Sequence, residues 1–106
     1  MIFHVDYSAE ARQDLRDIYQ YIAYELLAPI AAAGQTENIM KAIRSLEQMP
    51  MRHRLYEEEP WHGRGLRVLP VDHYLVFYLP DEINATVSII RIMYSGRDIE
   101  KQLNDN

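Results

Sequence analysis

The sequence predicts an α+β domain of order βααβββα: a twisted antiparallel sheet with an α-helical hairpin packed on one face and a short C-terminal helix. Three observations carry this. Two apolar stripes at helical spacing fill the first half and are separated near Pro29. Three runs rich in β-branched and aromatic residues follow Gly65, divided by Asp72-His73 and by Pro80-Asp81-Glu82. A last turn, Ser95-Gly96, leads to Ile99 and Leu103 at i, i+4. Strands after helices, joined by short links, point to an antiparallel meander covered by the hairpin.

Each element has its own signal. Residues 2–5 are apolar-rich and β-branched, which suits a first strand. Ser8 is a good N-cap, with Glu10 in the first turn where the helix dipole favours an acid. Ala11, Leu15, Ile18, Ile22 and Leu26 then form the first stripe, while Glu10, Asp14, Asp17 and Glu25 fall away from it. Pro29 suits the first turn of a new helix, so a break is expected near Leu27 and Ala28. The second stripe is Ala32, Thr36, Ile39, Ile43 and Leu46, and Pro50 ends it. Residues 51–65 read as a loop. Strands are expected over 66–69, 74–79 and 86–94, and Asp98 is placed to cap the last helix.

A chain of 106 residues makes one domain. Its start lacks the basic and apolar regions of a signal peptide, and no apolar run reaches the ~20 residues of a membrane span. The expectation is a soluble cytoplasmic protein. The absence of cysteine excludes disulfides and thiolate sites. A net charge of −5 argues against general nucleic-acid binding, which rests on Lys and Arg neutralising phosphates. The acids are uneven, however. Residues 60–71 hold Arg64 and Arg67 with no acid, and residues 83–97 hold Arg91 and Arg97 with no acid. A local basic patch on an acidic chain, or four scattered surface arginines, both fit that distribution.

Within the third meander strand, Val87, Ile89, Arg91 and Met93 are expected on one face, and Ser88, Ile90, Ile92 and Tyr94 on the other. A charge inside an apolar strand is costly unless paired. Arg91 therefore either aims at a phosphate or partner carboxylate, or forms a structural pair with Asp98 or Glu100. Arg67 alternates with Leu66 and Val68, and Arg64 sits between two glycines. A guanidinium offers a planar fork suited to phosphate. Tyr94 can stack on a base, donate a proton or simply cover surface. Tyr74 and Tyr78 share a face with Val76 and read as core or half-core. His4, His53, His62 and His73 lack the spacing of a metal site. Glu57-Glu58-Glu59 reads as a solvated acidic turn rather than a magnesium site. No metal and no cofactor is expected.

The pattern Tyr7-Ser8, Ala11, Asp14-Leu15, Ile18, Tyr21-Ile22 resembles the first helix of the RelE/ParE toxin superfamily. Ile43, Leu46, Pro50, Gly65-Leu66-Arg67, Tyr74, Phe77-Tyr78, Val87, Ile89, Arg91-Ile92, Tyr94 and Gly96-Arg97-Asp98 resemble the rest, over nearly the whole chain. The resemblance implies the toxin of a type II toxin–antitoxin pair, held in a hetero-oligomer by a partly disordered antitoxin that folds on it. Ile99 and Leu103 become antitoxin-binding candidates. Arg64, Arg67, Arg91, Tyr94 and Arg97 become target-binding candidates. The ParE-like branch, which the ending Arg91-Ile-Met-Tyr-Ser-Gly-Arg97-Asp-Ile resembles more, implies growth inhibition through DNA gyrase. The RelE-like branch implies mRNA cleavage on the ribosome, with Arg67 and Arg91 stabilising the phosphate and Tyr94 near the 2′-hydroxyl. The acidic charge, and the lack of any lysine between Lys41 and Lys101, favour gyrase. A third reading is an inactive toxin that only binds and regulates with its antitoxin.

Overall fold

A computed structural model describes residues 1–96 and 98–104. Four strands form one sheet: β1 (His4–Tyr7), β2 (Arg67–Val71), β3 (Tyr74–Asp81) and β4 (Thr86–Tyr94). Helix α1 (Ala9–Gln20) widens into a π turn at Tyr21–Glu25, and α2 (Pro29–Arg44) completes the hairpin. Short helices α3 (Trp61–Arg64) and α4 (Ile99–Asn104) follow. The α+β class and the order of the main elements match the sequence expectation, and α3 is an addition within the stretch read as a loop. Among the described residues no helix is long and apolar enough to cross a membrane.

The sheet itself is mixed, where an antiparallel one was expected. Its order is β1-β4-β3-β2, with β2, β3 and β4 an antiparallel meander and β1 parallel to β4. Chain direction explains this. Helix α1 continues the direction of β1, because Ser8 N–H bonds the Ile89 carbonyl (2.9 Å) while Asp14, further on, accepts from Ile92 N–H (2.9 Å). Helix α2 returns the chain, so that the Glu47 carbonyl accepts from Phe3 N–H (2.8 Å) at the start of β1. The meander thus sets out from the same end as β1, and its third strand must run parallel to β1. Parallel neighbours need such a crossover, here two helices long.

The hairpin begins and ends as its residues dictate. Ser8 Oγ caps α1 by accepting from Ala11 N–H (2.9 Å). Pro29 stands at the first turn of α2, where its missing N–H costs no bond. The second stripe is buried throughout: Ala32, Thr36, Ile39, Ile43 and Leu46. The first stripe fades along its length. Ala11 is buried, but the π turn adds a residue to the spiral, so Ala23 faces inward and Leu26 is thrown out, 56% exposed.

Two cores flank the sheet. On the hairpin side Ile39, Ile43 and Leu46 meet Val76, Tyr78 and Ile89. On the other side Leu66, Val68, Phe77 and Met93 are closed over by Leu103 of α4 and by Tyr56 and Trp61. The expected alternation along β4 holds only up to Ile89. A bulge opposite Phe77 and Tyr78 leaves an extra residue in β4, so Ile92 joins Val87 and Ile89 in the hairpin core and Met93 faces α4.

Residues 50–66 are more ordered than a plain loop. Pro50–Arg52 form a 3₁₀ turn, Leu55 bridges to Arg67, and α3 closes on Gly65, whose φ of 86° only glycine adopts without strain. Tyr78 Oη donates to the Pro50 carbonyl (2.6 Å), and Arg67 Nη1 donates to the carbonyls of Met51 (3.0 Å) and His53 (2.7 Å). The paired Arg67 and Tyr78 thereby fix the first part of the segment, residues 50–55.

A candidate docking cleft at the open end of the hairpin

Beyond Ile89 the edge of β4 has lost β1 as a partner, and a bare sheet edge leaves N–H and C=O groups unpaired. Side chains of the α1 region take over. Ser8 Oγ–H donates to the Ile90 carbonyl (2.8 Å), and Asp14 Oδ2 accepts from Ile92 N–H. The same Asp14 carboxylate receives Arg91, Nε to Oδ2 at 2.7 Å and Nη2 to Oδ1 at 2.8 Å. This fork-to-fork pair is only 14% and 12% exposed on its two sides. The bond to Asp14 holds the Arg91 guanidinium protonated even more firmly than usual. Arg91 also lies at 3.4 Å from the Gln102 carbonyl and from Gln102 Oε1, which ties α4 to the same point.

The ion-pair partner is thus Asp14, not the expected Asp98 or Glu100. Asp14 does not fall away from the first stripe either: three residues after Ala11 and four before Ile18, it borders that stripe and turns inward. That spacing was the available signal, and only the packing of α1 against β4 brings Arg91 within its reach.

Tyr94 ends β4, half in solvent at 49% exposure. Its ring meets Tyr74 edge-on at 5.8 Å and lies 6.5 Å from His73. The turn after it is shaped to let the ring fold back, since a Cβ on Gly96 would sit 2.8 Å from Tyr94 Cε2. Burial, then the neighbouring Tyr94 and Tyr21 hydroxyls, push the Tyr74 phenol up. These rings form one wall of a cleft of about 730 Å³ between the sheet end and the hairpin tip. Asp14, Arg91 and Asp17 contribute its charges; Ile18, Ile22 and Leu26 contribute its apolar wall. The tip beyond is bare apolar surface: Tyr24, Leu26, Leu27 and Ile30 are 56–89% exposed.

The remaining sequence candidates lie apart. Arg67 points its guanidinium into the loop carbonyls of Met51 and His53, on the same side of the sheet as Leu69 and two strands from Arg91. Arg64 stacks over Trp61 at 4.9 Å, on the α4 side. Trp61 Nε1 in turn donates to Asn104 Oδ1 (3.2 Å). Ile99 is half-buried and Leu103 fully buried against the second core. Arg97 lies outside the described residues. The structure therefore brings Arg91 and Tyr94 to one cleft and separates Arg64 and Arg67 from it. Tyr74, Tyr21 and Asp17 were not among the sequence candidates; they come from a strand, a π turn and a helix that only the fold assembles.

A small α+β domain with an acidic cleft and a short closing C-terminal helix is the class that these features define. The family of ParE toxins of type II toxin–antitoxin systems (parDE) matches residues 5–99, and the chain belongs to it. Among solved structures, the chromosomal ParDE system from P. aeruginosa superposes with a TM-score of 0.73 at 20% identity, covering 88% of this chain and 96% of that one. The RelBE2 toxin–antitoxin complex from Mycobacterium tuberculosis gives 0.62 at 22% identity, with 89% and 99% covered. The archaeal RelE–RelB complex from Pyrococcus horikoshii gives 0.63 at 14% identity, with 92% and 99% covered. These likenesses show a shared fold. Comparison with curated protein sequences gives no match.

Proposed function

We propose that this toxin acts by interfering with DNA gyrase and is neutralised by a cognate antitoxin bound to it. The observation that carries the reading is the placement of the two strand arginines. RNA cleavage through the 2′-hydroxyl needs a cation at the phosphate, a base and an acid held together. Arg67 is engaged by the loop carbonyls and Arg91 by Asp14 and Gln102, on different strands and with different partners. The net charge of −5 supports a protein target over an RNA one. Tyr94, which lines the same cleft as Arg91 and is followed by Arg97, is the candidate contact with the target. The partner reading rests on the solved relatives, which are toxin–antitoxin systems and complexes. An antitoxin segment would cover Ile99, and would reach Leu103 only by lifting α4.

The test is plasmid DNA incubated with gyrase, ATP and the purified chain. Gyrase-dependent linear DNA or lost supercoiling is the expected result. Intact supercoiling together with transcripts cut on the ribosome would replace this reading with the RelE-like one and make Arg67, Arg91 and Tyr94 candidate catalytic residues. Neither effect, from folded protein, would leave a regulatory toxin.

A further inference from the structure

The cleft has a chemistry of its own. Three tyrosines, Tyr21, Tyr74 and Tyr94, stand at one end of it, and Tyr21 and Tyr94 are each about half exposed. An aromatic face attracts a cation through its quadrupole, most strongly where several rings converge. Asp17 lies four residues before Tyr21 on α1, hence beside it, and is exposed. Among the described residues that line the cleft, Arg91 is the only Lys or Arg, and its charge is answered by Asp14 in the fork-to-fork pair. Asp17 remains, so the described lining carries net negative charge while most of it is apolar. Next to it runs an uncharged stretch, residues 26–36, with Leu27 and Ile30 bare.

We infer that the cleft seats a basic, apolar segment of a partner protein: a lysine or arginine side chain lodged among Tyr21, Tyr74 and Tyr94 and facing Asp17, with neighbouring aliphatic residues against Ile22 and Leu26. Charge complementarity selects this occupant. An acidic segment would meet Asp17 and the net charge of the whole chain, and a purely apolar one would leave the tyrosine faces and the carboxylate unanswered. The inference concerns the chemistry of the segment, and holds whether the partner neutralises the toxin or is its target. The more open groove of about 540 Å³ on the outer side of the hairpin, beside Arg12 and Arg16, has the opposite charge and serves as an internal control.

The experiment is an NMR titration of the full chain with three short amphipathic peptides. They share one leucine face and carry lysine, glutamine or glutamate at the polar positions. The lysine peptide is expected to bind about tenfold more tightly than the glutamine one, to weaken with salt, and to shift the ring signals of Tyr21, Tyr74 and Tyr94. Tyr94→Ala and Asp17→Asn, both at exposed positions, should each erase most of that preference, and Arg12→Gln should leave it intact. Equal or tighter binding of the glutamate peptide, shifts confined to the Arg12–Arg16 groove, or no binding by any of the three would overturn the assignment.

Discussion

Single residues at two points bear much of the fold's polar load. Asp14 at once caps the broken edge of β4 and holds Arg91 in a largely buried pair. Removing one partner of such a pair strands the other, at a cost of roughly 3–5 kcal/mol. Asp14→Ala should therefore lose stability on that scale in urea unfolding, and a loss below about 1 kcal/mol would show the pair to be dispensable. Arg91→Ala should be destabilising for the same reason, so loss of toxicity in that variant reports on the site only if its folded fraction is measured alongside. Tyr78 is the second point. Burial pushes its hydroxyl up to about 12. Because the folded state holds this proton more tightly than the unfolded one, the stabilisation is complete below about pH 10 and fades as pH rises toward 12. The amount at stake is roughly 2–3 kcal/mol. Tyr78→Phe should remove that alkaline limb and cost about 1 kcal/mol at neutral pH through the lost bond to Pro50. Unchanged alkaline unfolding in the variant would mean that another group controls it. The sequence marked Arg91 as a charge needing a partner but named the wrong one, because the packing of α1 against β4 that brings Asp14 to it has no local sequence signal.

Among the elements, α4 is a short terminal one. Its six residues are held down through Leu103, the Gln102 contacts with Arg91 and the bond from Trp61 to Asn104. Leu103→Ala should cost about 2 kcal/mol, the low end for a buried leucine, because a terminal helix can lift rather than leave a void. Hydrogen exchange should then lose protection in α4 while β3 and β4 keep theirs; loss of protection across the sheet would show that α4 is integral to the main core. The helical hairpin was legible almost entirely from its stripes, N-cap and proline. Its last turn was not: a π turn differs from an α turn by one residue of winding, which shifts Leu26 outward without altering the apolar pattern that suggested it was buried. The meander strands were legible from their turns. Their faces were legible only as far as the bulge.

At the scale of the molecule, an acidic body carries an exposed apolar tip at one end. Exposed patches of this kind mark interaction surfaces and drive self-association when nothing covers them. The isolated chain should associate at high concentration in light scattering, and Leu27→Lys with Ile30→Lys should suppress this while changing stability by less than about 1 kcal/mol, since both side chains are over 80% exposed. Association that persists in the double variant would place the contact elsewhere. By itself the sequence determined the α+β class, the hairpin, the meander and the family likeness, since each is written in local periodicity, turn chemistry and spacing. Only the tertiary structure decided that β1 lies parallel to β4, that Arg91 belongs to Asp14, and that Tyr21, Tyr74 and Tyr94 share one cleft. Those facts depend on where separate segments meet in space, and neither periodicity nor composition records that.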